Sequence, residues 1–337
     1  MNFNNYKPVR LIELFAGIGS QAKALKSLGI DFEHYRVCEF DEHAIRSYNA
    51  IHDTNFVKSD ITTLTVDDLG IINTERYTYL LTYSFPCQDL SNAGLGKGMK
   101  KGSGTRSGLL WEVERLLNEC IELPQVLLME NVPQVHGSKN IEHFNQWIAF
   151  LESKGYSNYW KDLNAKDYDM PQNRNRCYMV SILGDYVYEF PKRVPATLKF
   201  GDVLETHPDD IYYLRPDTMT RLLNVPKDKH GPSLLNRSDE YAKTITTAIG
   251  RLGNFEQYIV ERDGESSVLR KFTPRECWRL MGFTDLDFDK AKRVCTDSQL
   301  YKQAGNSIVV NVLTAIFKEL FIPKKTRSEW LDALLRS

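Results

Sequence analysis

Apolar positions recur along the first half of the chain as short β-rich runs, each closed by a turn or a charged residue, with helix-spaced segments between them. Val9 to Phe15 (VRLIELF) is the first run; it stops at Ala16-Gly17-Ile18-Gly19, and Gln21 to Leu28 follows with helical spacing. Tyr35 to Cys38 predicts a second strand ending at Glu39, and Phe56-Val57-Lys58 a third ending at Asp60. In LLTYSFPCQDLS, Leu80 to Ser91, a buried-strand pattern breaks at Pro86 and delivers Cys87. Leu109 to Leu117 reads as a helix, Gln125 to Met129 (QVLLM) as a strand ending in Glu130-Asn131-Val132, His143 to Leu151 as a helix, and Tyr156 to Tyr159 as a strand. Beyond Pro171 a further strand carries Arg174 and Arg176 on one face. Strands alternating with helices predict an α/β fold, an open sheet covered by helices on both faces.

The pattern changes at about Asp185. Six prolines, from Pro191 to Pro232, interrupt short mixed segments, and Lys227, Lys229, His230, Arg237, Lys243 and Arg251 make the region basic. Residues 186–269 are therefore expected to form a small second domain. Within it Thr244 to Thr247 reads as strand, followed by a flexible turn at Gly250-Arg251-Leu252-Gly253. Regularity returns at 270–337, which is expected to complete the first domain of residues 1–185. Thr273-Pro274-Arg275-Glu276 is an N-cap, a proline at the first helical position and an acid in the first turn, opening a helix that Gly282 ends. Gly305-Asn306-Ser307 then precedes a last apolar helix, IVVNVLTAIFKELF, with a face to pack against the first glycine turn.

Composition narrows the class. Of 337 residues 42% are hydrophobic and 26% charged, and no run reaches the ~18 apolar residues of a membrane span. The polar start, MNFNNYKPVR, has no signal-peptide character, and the six cysteines are scattered without CxxC spacing. A reducing cytoplasm is expected, with reduced thiols and no zinc or other metal site. The net charge of −1 gives no global field for nucleic acid, so any such binding needs local basic surface. Gly94 to Gly108 offers one: six glycines, three lysines and an arginine (Lys97, Lys100, Lys101 and Arg106) form a cationic loop placed to close over a phosphate backbone.

Candidate chemistry collects at the strand ends. A glycine turn before a helix lets a ligand approach the backbone and offers it free N–H groups, and an acid about twenty residues on is placed to hold a ribose. Here those are Gly17, Gly19 and Glu39, with Asp60 as a further carboxylate. A cysteine presented by a proline at a strand end suits a nucleophile, since the thiolate must be exposed and fixed in direction. Glu130 occupies the corresponding end of its own strand. Arg174 and Arg176 on one face suit an anion or a base better than a core.

These motifs in this order resemble the DNA (cytosine-5)-methyltransferases over almost the whole chain except 185–269. The resemblance rests on LFAGIGS at the first turn, Glu39 and Asp60, FPCQ at Cys87, ENV at Glu130, QNRNR at Arg174 and Arg176, FTPRECWRLMGF, and QAGNSIVVNV. The catalytic framework looks most like the bacterial and phage members that methylate CpG, including Ser84 two residues before the PC pair. The recognition segment differs: AKTITTAIGRLGNFEQY stands where those enzymes carry a GPTLTASGANSRIK-type sequence.

The resemblance implies a Rossmann-like methyltransferase sheet with a small, mostly β target-recognition domain. It implies S-adenosylmethionine as methyl donor, held by Phe15, Gly17, Gly19, Glu39, Asp60, Pro86, Leu109, Asn306 and Ser307. It further implies double-stranded DNA as substrate, Cys87 as nucleophile, Glu130 at the base edge, and Arg174 and Arg176 on the base carbonyl or phosphate. Thr244, Thr246 and Arg251 are expected to contribute to DNA recognition. The expected protein is a monomer of the cytoplasm of a bacterial or phage-infected cell, with any cognate restriction endonuclease acting independently. Three rival readings are a tRNA cytosine-5 methyltransferase, whose CFT tripeptide is missing after QNRNR; a silent DNA-binding relative, which predicts a lost nucleophile; and a nicotinamide-dependent dehydrogenase, which explains neither PCQ nor QNRNR.

Overall fold

A computed structural model describes residues 7–90, 97–225, 231–254, 256–263 and 266–323. Lys227, Lys229 and His230 lie outside the described residues, as does the start of the basic loop before Lys97. The elements of the first part are β1 (Val9–Leu14), α1 (Ser20–Ser27), β2 (Phe32–Cys38), α2 (Glu42–His52), α3 (Val66–Leu69), β3 (Thr78–Tyr83), α4 (Leu110–Glu119), β4 (Val126–Asn131), α5 (Ile141–Ser153), β5 (Tyr156–Asn164), β6 (Gln172–Asn173) and β7 (Asn175–Leu183). Six strands make one sheet in the order β2-β1-β3-β4-β7-β5. The first four are parallel; β7 and β5 run antiparallel to their neighbours.

β3 and β4 are buried at every residue, which is why they read as continuous apolar runs. Alternate residues feed two cores. Leu11, Leu80 and Leu128 face α1 and the last helix, whereas Ile12, Leu81 and Leu127 face α4 and α5. The second part contributes α6 (Phe200–Val203), α7 (Pro216–Leu223), β8 (Ser233–Leu235), β9 (Ala242–Lys243), β10 (Gln257–Asp263) and β11 (Ser266–Arg270). β11, β10 and β8 form a three-stranded sheet, and β9 pairs with β6. The apolar residues Phe200, Leu235, Ile245 and Ile259 join the first core directly, so residues 186–269 are packed against the main sheet's covering layer. The chain closes with α8 (Pro274–Arg279), α9 (Asp285–Lys292), α10 (Asp297–Asn306) and α11 (Val310–Phe321). α8 starts as expected: Thr273 and Glu276 form a reciprocal capping box with proline at the start. α11 packs on α1, with Ser27 Oγ 3.2 Å from Thr314 Oγ1. Among the described residues, no single helix is long and apolar enough to cross a membrane.

Four local expectations change. Phe56-Val57-Lys58 is irregular rather than a strand, and Val57 is largely exposed. A side chain replaces the ladder there: the Phe56 N–H donates to Asn49 Oδ1 and the Phe56 carbonyl accepts from Asn49 Nδ2. Thr244 to Thr247 is not strand either; the ladder ends at Lys243, and side-chain bonds replace it, Ile245 N–H donating to Gln172 Oε1 and Thr244 Oγ1 to the Asn173 carbonyl. The strand carrying the two arginines breaks at Arg174, between β6 and β7. Finally, Asn306 is the last residue of α10, a helix absent from the sequence-based assignment.

Candidate active site

The crevice lies at the carboxyl ends of the parallel strands, on either side of the point where the chain order reverses, between β1 and β3. After β1, Phe15 (φ 58), Gly17 (φ 57) and Gly19 (φ 81) take left-handed conformations that turn the backbone sharply into α1. A Cβ on Gly19 would lie 2.2 Å from His52 Nε2, so only glycine fits against α2 there. Gly17 faces open space. Its N–H donates to Glu39 Oε2 at 2.8 Å, and the Asp41 N–H donates to Glu39 Oε1 at 2.7 Å. Burial pushes the Glu39 carboxyl up, and these two N–H groups pull it back. Asp60 Oδ1 accepts from the N–H and hydroxyl of Thr62, so a turn, not a strand, presents this carboxylate. Phe40, 72% exposed directly after Glu39, is an aromatic surface at the same rim that the motif spacing did not mark. An open glycine backbone, a fixed carboxylate and an exposed ring together suit a nucleoside-bearing cofactor.

Cys87 stands four residues beyond β3, partly exposed. Two side chains fix its approach. Asn131 Nδ2 donates to the Phe85 carbonyl at 2.9 Å, and Ser107 Oγ donates to the Pro86 carbonyl at 2.6 Å. Neither was singled out from the sequence; Asn131 lay in the ENV motif and Ser107 in the glycine-rich loop. Ser107 also links the loop to Asp89. The basic loop from Lys97 onward is held by buried Met99, whose carbonyl accepts from Trp111 Nε1, and by the Gly98 N–H bonded to the Asp89 carbonyl. Lys101 pairs with Glu114, and Arg106 Nη1 donates to Gln88 Oε1, beside Cys87; Lys97 and Lys100 are exposed. Leu109 packs in the second core at the foot of α4.

Glu130 ends β4. Because β7 runs antiparallel, its first residues lie beside the last residues of β4, with Glu130 opposite Tyr178. Arg176, two positions earlier, therefore falls diagonally next to Glu130, and Arg176 Nε is 3.3 Å from Glu130 Oε1. Burial pushes the Glu130 carboxyl up, against the pull of Arg176, Arg174 and a Ser84 hydroxyl hydrogen bond. The Cys87 thiol is pushed up by burial and by Glu130, and held down by Arg176 and Arg174. Thiol, carboxylate and guanidinium thus share one electrostatic unit.

Arg174 goes elsewhere. Its buried guanidinium donates from Nη1 to the Ile245 carbonyl at 2.8 Å and from Nη2 to the carbonyls of Gly305 at 3.1 Å and Ser307 at 2.9 Å. Burial lowers its pKa to about 9. It ties the 242–250 segment to the end of α10, where Asn306 is exposed and Ser307 Oγ donates to the Gln303 carbonyl. Gly305 is the matching contact: a Cβ there would lie 2.3 Å from Thr247 N and 2.4 Å from the Thr246 carbonyl carbon. Thr244 is committed to Asn173, Thr246 Oγ1 accepts from the Ala248 N–H, and Arg251 lies exposed on the following turn.

The sequence profile of the C-5 cytosine-specific DNA methylases matches residues 9–322. The chain is 33% identical to the type II methyltransferase M2.ScrFI of Lactococcus lactis subsp. cremoris, over 93% of this chain and 99% of that protein. It is also 33% identical to the orphan methyltransferase M.SssI of Spiroplasma monobiae, over 94% and 98%. The fold is similar to that of the S. pombe Dnmt2 methyltransferase (TM-score 0.75, 23% identity, 92% and 97% covered) and of the Entamoeba histolytica methyltransferase EhMeth (TM-score 0.78, 20% identity, 93% and 98% covered).

Proposed function

We propose, from the premise that this chain belongs to the C-5 cytosine-specific DNA methylases and is a DNA (cytosine-5-)-methyltransferase, that it methylates one short sequence in double-stranded DNA through a covalent Cys87 adduct. The observation that carries this is the placement of Arg176 beside Glu130 at one end of the sheet, with both charges acting on the Cys87 thiol. C5 of cytosine is too weak a nucleophile to take a methyl group unaided. Addition of the Cys87 thiolate to C6 makes the C5 position enamine-like. Glu130, held up in pKa by burial, keeps its proton further toward neutrality than an ordinary carboxylate and is suited to donate at N3 as charge builds on the ring. Arg176 stabilises both the thiolate and the developing negative charge. After transfer water takes the C5 proton, its electron pair re-forms the C5–C6 double bond as the C6–S bond breaks, the thiolate is restored, and N3 returns its proton to Glu130.

S-adenosylmethionine would supply the electrophilic methyl group. Phe15, Gly17, Gly19, Glu39 and Asp60 would hold it, with Pro86, Leu109, Asn306 and Ser307 closing the crevice. Within a stacked duplex C6 is out of reach, so the cytosine is flipped out at a cost of about a few kcal/mol. Lys97, Lys100, Lys101 and Arg106 are placed on the loop after the nucleophile to contact phosphates. Thr244 to Gly253 supplies recognition contacts through Arg251, with Thr244 and Thr246 shaping the segment. Arg174 acts as a positioning residue, joining that segment to the active-site strand. The similarity to type II and orphan methyltransferases favours a restriction-modification or phage setting.

The test is bisulfite sequencing of a plasmid from a methylation-free host expressing the protein, beside Cys87→Ala. Methylcytosine at one short repeated motif, absent from the variant, is expected. Methylation surviving in Cys87→Ala would exclude Cys87 as nucleophile, and label appearing in tRNA instead of plasmid would replace the substrate.

A further inference from the structure

His136, Asp162 and Cys177 form a cluster outside the matched motifs, with no part in the reaction above. Asp162 on β5 and Cys177 on β7 are cross-strand partners, so their side chains stand on the same face of the sheet. The 3-10 turn Pro133–His136, immediately after the ENV motif, brings an imidazole over them. One ligand atom from each residue lies within 4.8 Å of the other two. His136 Nε2 is 2.9 Å from Asp162 Oδ1. The imidazole is braced by Trp160, ring centroids 4.7 Å apart, from the same face of β5, and by Phe144 at 6.1 Å. Cys177 is fully buried and forms the floor; His136 and Asp162 are partly exposed and form the rim. A fixed ring, a carboxylate and a thiol thus converge with one side open to solvent.

We propose that His136, Asp162 and Cys177 bind one Zn2+ ion, with a fourth position open to water. The donor set decides the ion: Ca2+ and Mg2+ take oxygen ligands, whereas nitrogen, oxygen and thiolate together suit Zn2+. A tetrahedral ion with bonds of about 2.0–2.3 Å holds its ligand atoms about 3.3–3.8 Å apart. The His136–Asp162 contact opens by a few tenths of an ångström and the sulfur turns inward by at most about 1 Å to reach that arrangement. Burial and the charges of Asp162 and Glu130 hold Cys177 as a neutral thiol. Zn2+ displaces that proton to solvent on binding, so binding strengthens as pH rises. The ion would join β5, β7 and the turn after β4, the elements that set Glu130 beside Arg176; Cys177 also pairs with Asn131. The spacing of cysteines along the chain gives no hint of this site, because antiparallel register, not a CxxC repeat, brings its ligands together.

The test uses the full chain, stripped with chelator, in a Cys87→Ala background so that the exposed thiol does not compete. One equivalent of Co2+ is expected to give a thiolate-to-cobalt charge-transfer band that one equivalent of Zn2+ abolishes, and Zn2+ is expected to raise Tm. Cys177→Ala should lose the band. His136→Gln and Asp162→Asn, changes at the half-exposed rim, should each weaken Co2+ binding by about tenfold or more and remove the Zn2+ shift in Tm. Absence of a band, a band that survives Cys177→Ala, or a band unaffected by both rim substitutions would overturn the proposal. If Cys177→Ala fails to fold, the rim variants alone decide it.

Discussion

At the scale of single residues, the active site is a problem of charge held in a small buried volume. The Cys87 thiol is pushed up by burial and by the Glu130 carboxylate, and pulled down by Arg176 and Arg174. Removing the carboxylate charge must therefore lower the thiol pKa, and removing the guanidinium must raise it. Glu130→Gln is expected to speed iodoacetamide alkylation of Cys87 at pH 7 by roughly threefold to tenfold, and Arg176→Gln to slow it by a similar factor. Peptide-resolved mass spectrometry against pH separates Cys87 from the other thiols. Methylation should fall in both variants, in Glu130→Gln by about 10²–10⁴-fold despite the better thiolate, because the proton for the ring is lost. A Glu130→Gln enzyme that alkylates no faster would break the electrostatic account. Asn131 belongs to the same scale: its amide spans the Phe85 carbonyl and the Val132 N–H, and Asn131→Ala should cost about 1–3 kcal/mol in urea denaturation by leaving both unpaired.

At the scale of elements, what matters is how closely segments distant in sequence approach. Gly305 lies in the last turn of α10, where alanine ordinarily improves a helix by about 1 kcal/mol. Here the sign reverses, because a Cβ would meet the backbone of Thr246 and Thr247 at 2.3–2.6 Å and backbone does not yield as a flexible side chain does. Gly305→Ala should destabilise the protein by about 1–3 kcal/mol, read in urea denaturation, and lower methylation. Unchanged stability would show that the 242–250 segment is not seated on α10 in solution. Strand and helix existence was legible wherever the period was sustained, as in β1, β3, β4 and α11. Phe56 to Lys58 failed because two apolar residues before a lysine fix no partner, and Thr244 to Thr247 failed because the Gln172 side chain on the Ile245 N–H and the Thr244 hydroxyl on the Asn173 carbonyl displaced the ladder.

At the scale of the whole molecule, residues 186–269 share one apolar core and a buried ion network with the segments that flank them. Arg270, at the end of β11, is fully buried and donates to both oxygens of Glu276, itself fully buried at the start of α8, and to Glu261 on β10. Glu261 also receives Arg237, and Glu276 Oε1 accepts the Glu205 N–H. Arg270→Ala leaves the buried Glu276 carboxylate without its cation, while Glu261 keeps Arg237, and should cost about 3–5 kcal/mol, read as a fall in the urea midpoint. The transition should remain single, since Phe200, Ile245 and Ile259 belong to the same core as Leu11 and Leu80. Two separate transitions in the wild type would instead make residues 186–269 an independent unit.

The linear chain by itself determined the sheet's alternating framework, the glycine turn, the strand end that precedes Cys87 and the family resemblance. Each is local: a period of two or 3.6, a proline, or a motif within a few residues. Only the tertiary structure decided which of the two arginines meets Glu130. Arg174 and Arg176 are equivalent by spacing, but the break before β7 sends one to the carbonyls of Ile245, Gly305 and Ser307 and leaves the other against the carboxylate. The same holds for Asn131 and Ser107 clamping the Cys87 approach, and for His136 above Asp162 and Cys177. Those contacts depend on antiparallel register and on chain segments tens to more than a hundred residues apart, and neither is encoded in the period of any one segment.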